Sequence, residues 1–436
     1  MSFSDLASSR LSRRRFLGAG ATLGAGALLA GCTSRYSMPG KRITLSQWFH
    51  QYGEDGTRDA VFRYADQYMK ENPDIGIQVQ WVPGDYGTKL NTALLVAGGP
   101  DVFESSHLSV PMVVAGQVAT LDDLYPADVK ADFLPADLAV NTVDGHIYGV
   151  KMVDDTGLIY YRKSLLEKAG FSKPPATFDE LIEAAKALNT KGRKGLFLGN
   201  DGGTGALMTI GPWSAGQDFL KEDKLVFNTE RTAQVYEKLR TLNDTGTLLR
   251  GAPADWWDPS AFNQGLCAMA WGGLWAYPGI KKFFDDNAKK NGFDSDDIGG
   301  MAWPAFDKDG SPATFAGGWS QMVNARSPHV DEAKRFVQWL WMKNQKIQTD
   351  WNLSYGFHVP PRQSVARTAT ALRAPVPAQA ARDLAQHGGA TGPSWTNGMN
   401  TAISDAVTNI LGGSNAKDEL NTAERKCQRE LARLLR

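Results

Sequence analysis

Residues 42–49, RITLSQWF, alternate apolar and polar side chains in a β-rich run, the period-two signature of a strand. The period changes at residue 58. Val61, Ala65, Tyr68 and Met69 then fall on one face of a helix over 58–71, which Asn72-Pro73 closes. IGIQVQWV (75–82) predicts the next strand, residues 86–96 a helix, and Pro100-Asp101-Val102-Phe103 the start of a third strand. Strands and helices taking turns in this way specify an α/β sheet with helices on its faces. Further along, GHIYGVKMVDDTGLIYYRKSLLEKAG reads as strand, acidic loop, strand, helix. In KPPATFDELIEAAKALN, Pro174-Pro175 block helix formation, Thr177 caps a helix, and Glu180 three residues later completes a capping box. Leu181, Ala184, Ala185 and Leu188 form that helix's buried face. Residues 327–344 predict another amphipathic helix, with Ala333, Phe336, Val337, Leu340 and Trp341 inward, and a last helix, Leu-lined and charged outside, spans about 416–435.

A chain of 436 residues exceeds the size at which a single core stops growing, so two domains are expected. The 47 basic and 47 acidic residues cancel, which argues against nucleic acid or an anionic membrane surface as the main partner. The N-terminus is a targeting segment rather than fold. Ser12-Arg13-Arg14-x-Phe16-Leu17 resembles a twin-arginine export signal, and Leu29-Ala30-Gly31-Cys32 resembles a bacterial lipobox with cleavage before Cys32. The apolar run between them is too short and glycine-rich to span a membrane. Residues 1–31 therefore form the signal, Cys32 the lipidation site and residues 32–41 a lipid-anchored tether. Removing the signal takes away four arginines and one aspartate, leaving 43 basic against 46 acidic residues, net −3. Cys267 and Cys427 are either a disulfide, which export permits, or two buried thiols, and spacing does not decide between them.

The common catalytic signatures are missing: there is no G-x-S-x-G, no H-E-x-x-H and no G-x-x-x-x-G-K-[ST]. No cysteine–histidine cluster has metal-ligand spacing, so neither a metal nor a cofactor is expected. What the chain does contain is 13 tryptophans, many beside polar residues in loops. Trp48 precedes His50 and Gln51; Trp213, Trp256-Trp257 and the stretch MAWGGLWAY, with Trp271, Gly273 and Trp275, follow the same pattern, as does Gly317-Gly318-Trp319. Aromatic faces beside carboxylates and amides suit sugars, which present flat C–H faces and a rim of hydroxyls. Charge-assisted hydrogen bonds to such a rim contribute ~1.5–3 kcal/mol each.

LIYYRKSLLEKAGFSKPPATFDELIEAAKAL (158–188) resembles the signature stretch of the extracellular solute-binding proteins of ABC importers, family 1, which are similar to maltose-binding protein. WVPGDYGTKLNTALLVAGGPDVFESS, FNQGLCAMAWGGLWAY, GGWSQMVNARSPHVDEAKRFVQWLW and YGFHVPPRQS extend the resemblance over residues 42–436. It implies an α/β, two-lobe periplasmic-binding-protein-like fold of type II with an interlobe ligand cleft. The crossovers would lie near 150–154, 317 and 388–395, giving an N-lobe of 42–151 plus 318–388 and a C-lobe of 152–317 plus 389–436. Carried onto matching positions, the resemblance places Trp48, His50, Gln51, Tyr86, Glu104, Ser105 and Ser106 on the N-lobe wall of the cleft. It places Asp154 or Asp155 on sugar hydroxyls, Trp275 as the stacking platform, and Gly317, Gly318 and Trp319 at a ligand-facing hinge. Arg362 matches an arginine that relatives with phosphorylated ligands use. Trp81, Trp341 and Trp351 are assigned to packing. The implied function is capture of a carbohydrate and delivery to the permease subunits of the importer by an exported, lipid-anchored monomer without enzymatic activity. A glycerophosphodiester ligand and a secreted carbohydrate-active enzyme are the alternatives.

Overall fold

The computed structural model describes residues 37–96, 98–221, 224–291 and 294–434, so the arginine pair, the lipobox and Cys32 lie outside the described residues. The first βα units follow the alternation of the sequence closely: β1 (Ile43–His50), α1 (Thr57–Glu71), β2 (Ile75–Val82), α2 (Tyr86–Ala93) and β3 (Val102–Ser105). Every odd residue of β1 is buried and every even one half-buried, so one face carries Ile43, Leu45 and Phe49 and the other Trp48 and His50. After β4 (Val150–Val153) the chain forms β5 (Gly157–Arg162), α3 (Phe178–Leu188), β6 (Lys194–Phe197), β7 (Cys267–Gly273), α4 (Tyr277–Asn291) and β8 (Ile298–Met301). It continues through β9 (Thr314–Phe315), β10 (Trp319–Val323), α5 (Val330–Gln338), α6 (Gln345–Leu353), α7 (Pro375–His387) and β11 (Gly388–Gly389), and ends in α8 (Asn397–Leu411) and α9 (Ala416–Leu434).

These strands make two main sheets, and each sheet is the centre of one lobe. The first runs β2-β1-β3-β10-β4, with β1 parallel to β2 and β3, and β10 antiparallel to both of its neighbours. Phe49, Val61, Tyr64, Phe336, Trp341 and Trp351 fill one of its faces; Leu90, Phe103 and Met322 fill the other. The second sheet runs β8-β5-β7-β6. Phe178, Leu181, Trp271 and Trp303 pack on one face of it and Tyr160, Phe197, Phe262 and Ile280 on the other. Each such side chain, fully buried, stabilises the fold by roughly 1.5–3 kcal/mol. Thr177 caps α3 by accepting from the Glu180 N–H at 3.3 Å, while Glu180 accepts from the Thr177 and Ala176 N–H groups. Cys267 and Cys427 are buried free thiols in separate cores.

The helix expected over 327–344 is α only over 330–338. Residues 339–343 form a π turn, wider than the α-helix it continues. Trp341 Nε1 then donates inward to Gln321 Oε1 at 2.6 Å, and Trp339 Nε1 donates outward to Glu71 at 2.8 Å.

The chain passes between lobes at 154–156, from β4 to β5, and again at 316–318, from β9 to β10. The third passage is not at 388–395 as expected. Arg362 is still bound to the first lobe through Asp132, whereas Ala369, Leu372, Val376 and Ala380 belong to the second lobe's core, and α7 packs along β8. The crossing is therefore at about 362–369, and residues 369–388 leave the N-lobe to which the resemblance gave them. Gly388 and Gly389 stay in the second lobe's neighbourhood as β11, pairing with β9. Trp395 packs between Phe219 and Phe227, which fixes the following segment there too.

Candidate functional site in the interlobe cleft

The carboxyl ends of β1 and β3 and the start of β10 meet at the boundary between the lobes, the place where α/β sheets collect ligand-binding side chains. Glu104, at the third position of β3, is fully buried and accepts three hydrogen bonds. The His50 N–H and His50 Nδ1 both lie 2.5 Å from Oε1, and the Tyr52 hydroxyl donates to Oε2 at 2.7 Å. Tyr86, buried at the start of α2, donates to the Glu104 carbonyl at 2.8 Å. Burial first and the Glu104 charge second push the phenols of Tyr52 and Tyr86 well above the ordinary tyrosine range, so both act as neutral donors. The imidazole of His50 stacks on Trp319 with ring centroids 4.0 Å apart at 21°, and the Tyr52 ring lies 3.8 Å from His50, tilted by 35°. Gln51 is exposed beside them, while Trp48, on the same face of β1 as His50, is half-buried against the packing around Leu90, Phe103 and Met322.

A second cluster forms at the first and third crossings. Asp155 Oδ1 lies 2.5 Å from His358 Nδ1, and His358 Nε2 lies 3.9 Å from Glu54 Oε1. Burial alone would lower the His358 pKa, but Asp155 at contact distance and Glu54 behind it raise it overall. Asp155 thus points to the cleft side and Asp154 does not: Asp154 is buried against Lys151 at 3.3 Å and against Asp137. The backbones of Asp154 and Val359 bond each other in both directions, at 2.9 and 3.0 Å. Gly318 has φ +106°, and a Cβ there would lie 2.0 Å from the Val153 carbonyl, so only glycine closes this turn.

The second lobe contributes an aromatic wall. Trp275, just past β7, lies 6.1 Å from Trp256 and 6.3 Å from Phe315, and its Nε1 donates to the Trp257 carbonyl at 3.2 Å. Trp257 itself is 56% exposed. Gly273 sits under the Trp275 ring, where a Cβ would come within 2.0 Å of it. Gly356 lies between the lobes, bounded by Glu54 on one side and the Trp275 carbonyl on the other. On the opposite side of β10 the boundary holds a cavity of about 170 Å³, lined by Ser106, His107 and Ser320 from the first lobe and Trp213, Phe315 and Gly389 from the hinge and second lobe. Ser105 is half-buried and donates to the His107 carbonyl. The cleft therefore offers flat rings on both walls and carboxylates between them.

Two further expected residues stand elsewhere. Trp271 is 1% exposed, with its ring edge-on to Trp303 and Phe315 in the core, because its position in the middle of β7 turns it under the sheet. Arg362 is an anchor of the first lobe: its Nε donates to Asp132 at 2.6 Å, and its Nη1 donates to the Met342 carbonyl. Its guanidinium is not available to a ligand phosphate in this arrangement. Conversely, Tyr52, Glu54 and His358 carry the cleft's polar network without having been singled out in the sequence. YGEDG directly after the first strand was the signal for two of them; His358 sits in YGFHVPP, 203 residues from the Asp155 it bonds.

A family model described as bacterial extracellular solute-binding protein matches residues 54–341. A probable ABC transporter-binding protein of Deinococcus radiodurans is 30% identical over 260 residues, 56% of this chain and 59% of that protein. The chain thus spans less than two thirds of that relative's length. A multiple sugar-binding protein of Streptococcus mutans is 23% identical over 346 residues, covering 72% of this chain and 75% of that one. Among solved structures, a Thermotoga lettingae ABC transporter solute-binding protein bound with alpha-D-tagatose superposes with a TM-score of 0.74 at 20% identity, covering 89% of this chain and 99% of its own. UgpB of Mycobacterium tuberculosis in complex with glycerophosphocholine gives 0.72 at 19% identity, covering 90% and 99%. At these identities the likeness is one of fold, the maltose-binding-protein-like two-lobe architecture.

Proposed function

Because the chain belongs to the bacterial extracellular solute-binding protein family, we propose that it is the substrate-binding lipoprotein of an ABC importer, capturing a sugar or oligosaccharide between its lobes. The carrying observation is the pairing of an aromatic wall, Trp275 with Trp256 and Phe315, with polar groups on the opposite side, Glu54 and the Asp155–His358 pair. Rings take the flat faces of a sugar and carboxylates its hydroxyls. Two such stackings and a few charge-assisted bonds reach micromolar affinity, about −8 kcal/mol. A ligand touching both walls binds the closed form better than the open one and shifts the population toward closure. The closed form then docks on the permease subunits. In this reading the protein is exported, held at the outer face of the cytoplasmic membrane by lipid on Cys32, monomeric, and breaks no bond.

Against a phosphodiester ligand stands the engagement of Arg362 by Asp132, which removes the cation that alternative rested on. Against a glycosidase stands the state of the carboxylates: Glu104 is buried under three donors and Asp155 is bonded to His358. The test is a ligand panel read by tryptophan fluorescence and isothermal titration, with Trp275→Ala as its control. The proposal expects stoichiometric saccharide binding without turnover, lost in Trp275→Ala with the fold retained. A glycerophosphodiester response with every saccharide silent overturns it.

A further inference from the structure

Leu95, Val96 and Val114 are 69%, 59% and 79% exposed, the highest values for any large apolar side chain among the described residues. They lie together. Arg326 Nη1 donates to the Leu94 carbonyl at 3.0 Å and its Nη2 to the Ala115 carbonyl at 2.6 Å. The turn after α2 and the end of the short helix Val110–Val114 are thereby drawn around one guanidinium. This is the end of the first lobe far from the cleft. β1 and β3 run parallel with their carboxyl ends at the cleft, so both begin at the opposite end, and antiparallel β10 finishes there at Val323, just before Arg326. Residues 94–100, 110–119 and 324–328 include no acidic or lysine side chain, their one charged residue is the exposed Arg326, and the neighbouring Asp101 is buried. An exposed apolar patch edged by a single cation has the character of a face for an anionic lipid surface.

The N-terminal chain arrives at the same end. Met38 Sδ lies against Gly76 in the first turn of β2, where a Cβ would come within 2.8 Å of it, and the Met38 N–H donates to Thr44 Oγ1 at the start of β1. In the order β2-β1-β3-β10 this entry point and the patch are three strand spacings apart, about 14 Å across the sheet. Six residue steps separate Cys32 from Met38, a reach of at most about 20 Å when fully extended. We propose that Leu95, Val96 and Val114 form a membrane-contact face: with Cys32 lipidated, the base of the first lobe settles on the bilayer, these side chains enter the headgroup boundary, and Arg326 meets lipid phosphate. The proposal rests on the lipid anchor of the reading above and not on its carbohydrate ligand. So short a tether already confines the base close to the lipid, and little further freedom is lost on contact. The eight residues of β1 rise about 26 Å from base to cleft, so in this posture the cleft mouth is held away from the bilayer, open to the outside. Delivery to a permease then requires the molecule to tip off the face, and the strength of the contact sets the fraction free to dock.

The test places the lipidated chain in vesicles of phosphatidylethanolamine and phosphatidylglycerol that carry a diazirine phospholipid, and maps the photo-adducts by peptide mass spectrometry. The mass of the Cys32 peptide reports separately on the anchor. A chain found without lipid is coupled through Cys32 to a maleimide phospholipid and treated in the same way, so the face is tested in either case. Adducts are expected to concentrate on the peptides holding residues 94–96 and 113–116. They should fall by about fivefold or more in the triple variant Leu95→Gln, Val96→Gln, Val114→Gln, which removes the apolar surface. Its melting temperature and saccharide affinity should match the wild type, since all three side chains are already in solvent. Adducts spread over both lobes, or undiminished in the triple variant, overturn the membrane face. A dimer in solution that the triple variant abolishes overturns it too, by giving the face to a second copy. The adduct pattern needs no ligand, so failure here is separate from failure of the carbohydrate reading.

Discussion

Gly273→Ala disarms the stacking wall without deleting any of it. The added Cβ would sit 2.0 Å from the Trp275 ring, against an ordinary contact limit of 3.4 Å, so the ring must retreat by about 1.4 Å. The backbone is not the obstacle, since Gly273 has φ −101° and ψ 158°, which alanine adopts freely. Nor is the ring locked. It is half-buried and holds one hydrogen bond, to the Trp257 carbonyl, and tilted contacts with Trp256 and Phe315. Shifting it costs part of those contacts, each worth ~0.5–1.5 kcal/mol, so the fold survives with a loss of about 1–2 kcal/mol. Binding suffers more. A sugar face covering half of an indole buries ~75–125 Å² of ring, or about 2–3 kcal/mol at 25 cal/mol per Å². A ring displaced by over 1 Å forfeits most of that, which is a 20- to 100-fold weaker Kd. Isothermal titration with the best saccharide from the panel measures the affinity, and circular dichroism melting separates misplacement from unfolding. An affinity within threefold of wild type, with the protein folded, refutes Trp275 as the platform.

Arg362→Met should destabilise the protein by roughly 2–4 kcal/mol, the cost of leaving Asp132 buried without its cation, while saccharide affinity stays unchanged. Ser364 and Arg362 hold the Asp132 carboxyl below the ordinary range against the opposing effect of burial. Its contribution is therefore present above pH ~4 and lost on acidification below it, a transition that is smaller in the variant, where only the Ser364 bonds remain. Trp271→Ala should cost ~3–5 kcal/mol, read by urea titration, and leave affinity intact if the protein folds, the reverse of Trp275→Ala. Because Cys267 and Cys427 lie in different cores, reductant should move neither the melting temperature nor the non-reducing mobility. A shift of more than about 3 °C would contradict their separation.

What could be read from the sequence was local. The alternation in RITLSQWF and the cap Thr177 with Glu180 report on neighbours within a few residues, and the corresponding elements lie within a residue or two of their expected bounds. The maltose-binding-protein-like fold was reached through the resemblance, and the structural neighbours agree with it. The cleft was legible as a set of loops: His50, Tyr86, Glu104 and Trp319 do converge. The partners inside it were not. Whether an arginine faces a ligand or Asp132, 230 residues away, depends on packing that no spacing rule encodes. The same holds for Trp271 and Trp275, four positions apart in one motif, of which one lies in the core and the other at the cleft because the strand ends between them. The third crossing was misplaced because β11 looks like a passage in sequence but is an edge strand held beneath Trp213.

The position of β10 also has a consequence for the order in which the molecule can be made. It lies between β3 and β4 in the first sheet, yet its residues are 319–323, more than 160 positions after β4 is complete. A chain growing from its N-terminus therefore holds β3 and β4 with unpaired facing edges while the whole second sheet is being synthesised. Exposed edges of that kind invite pairing with other chains. A nascent chain halted before residue 319 should be the most aggregation-prone length of this protein, and a chaperone acting on it has its longest task in that interval.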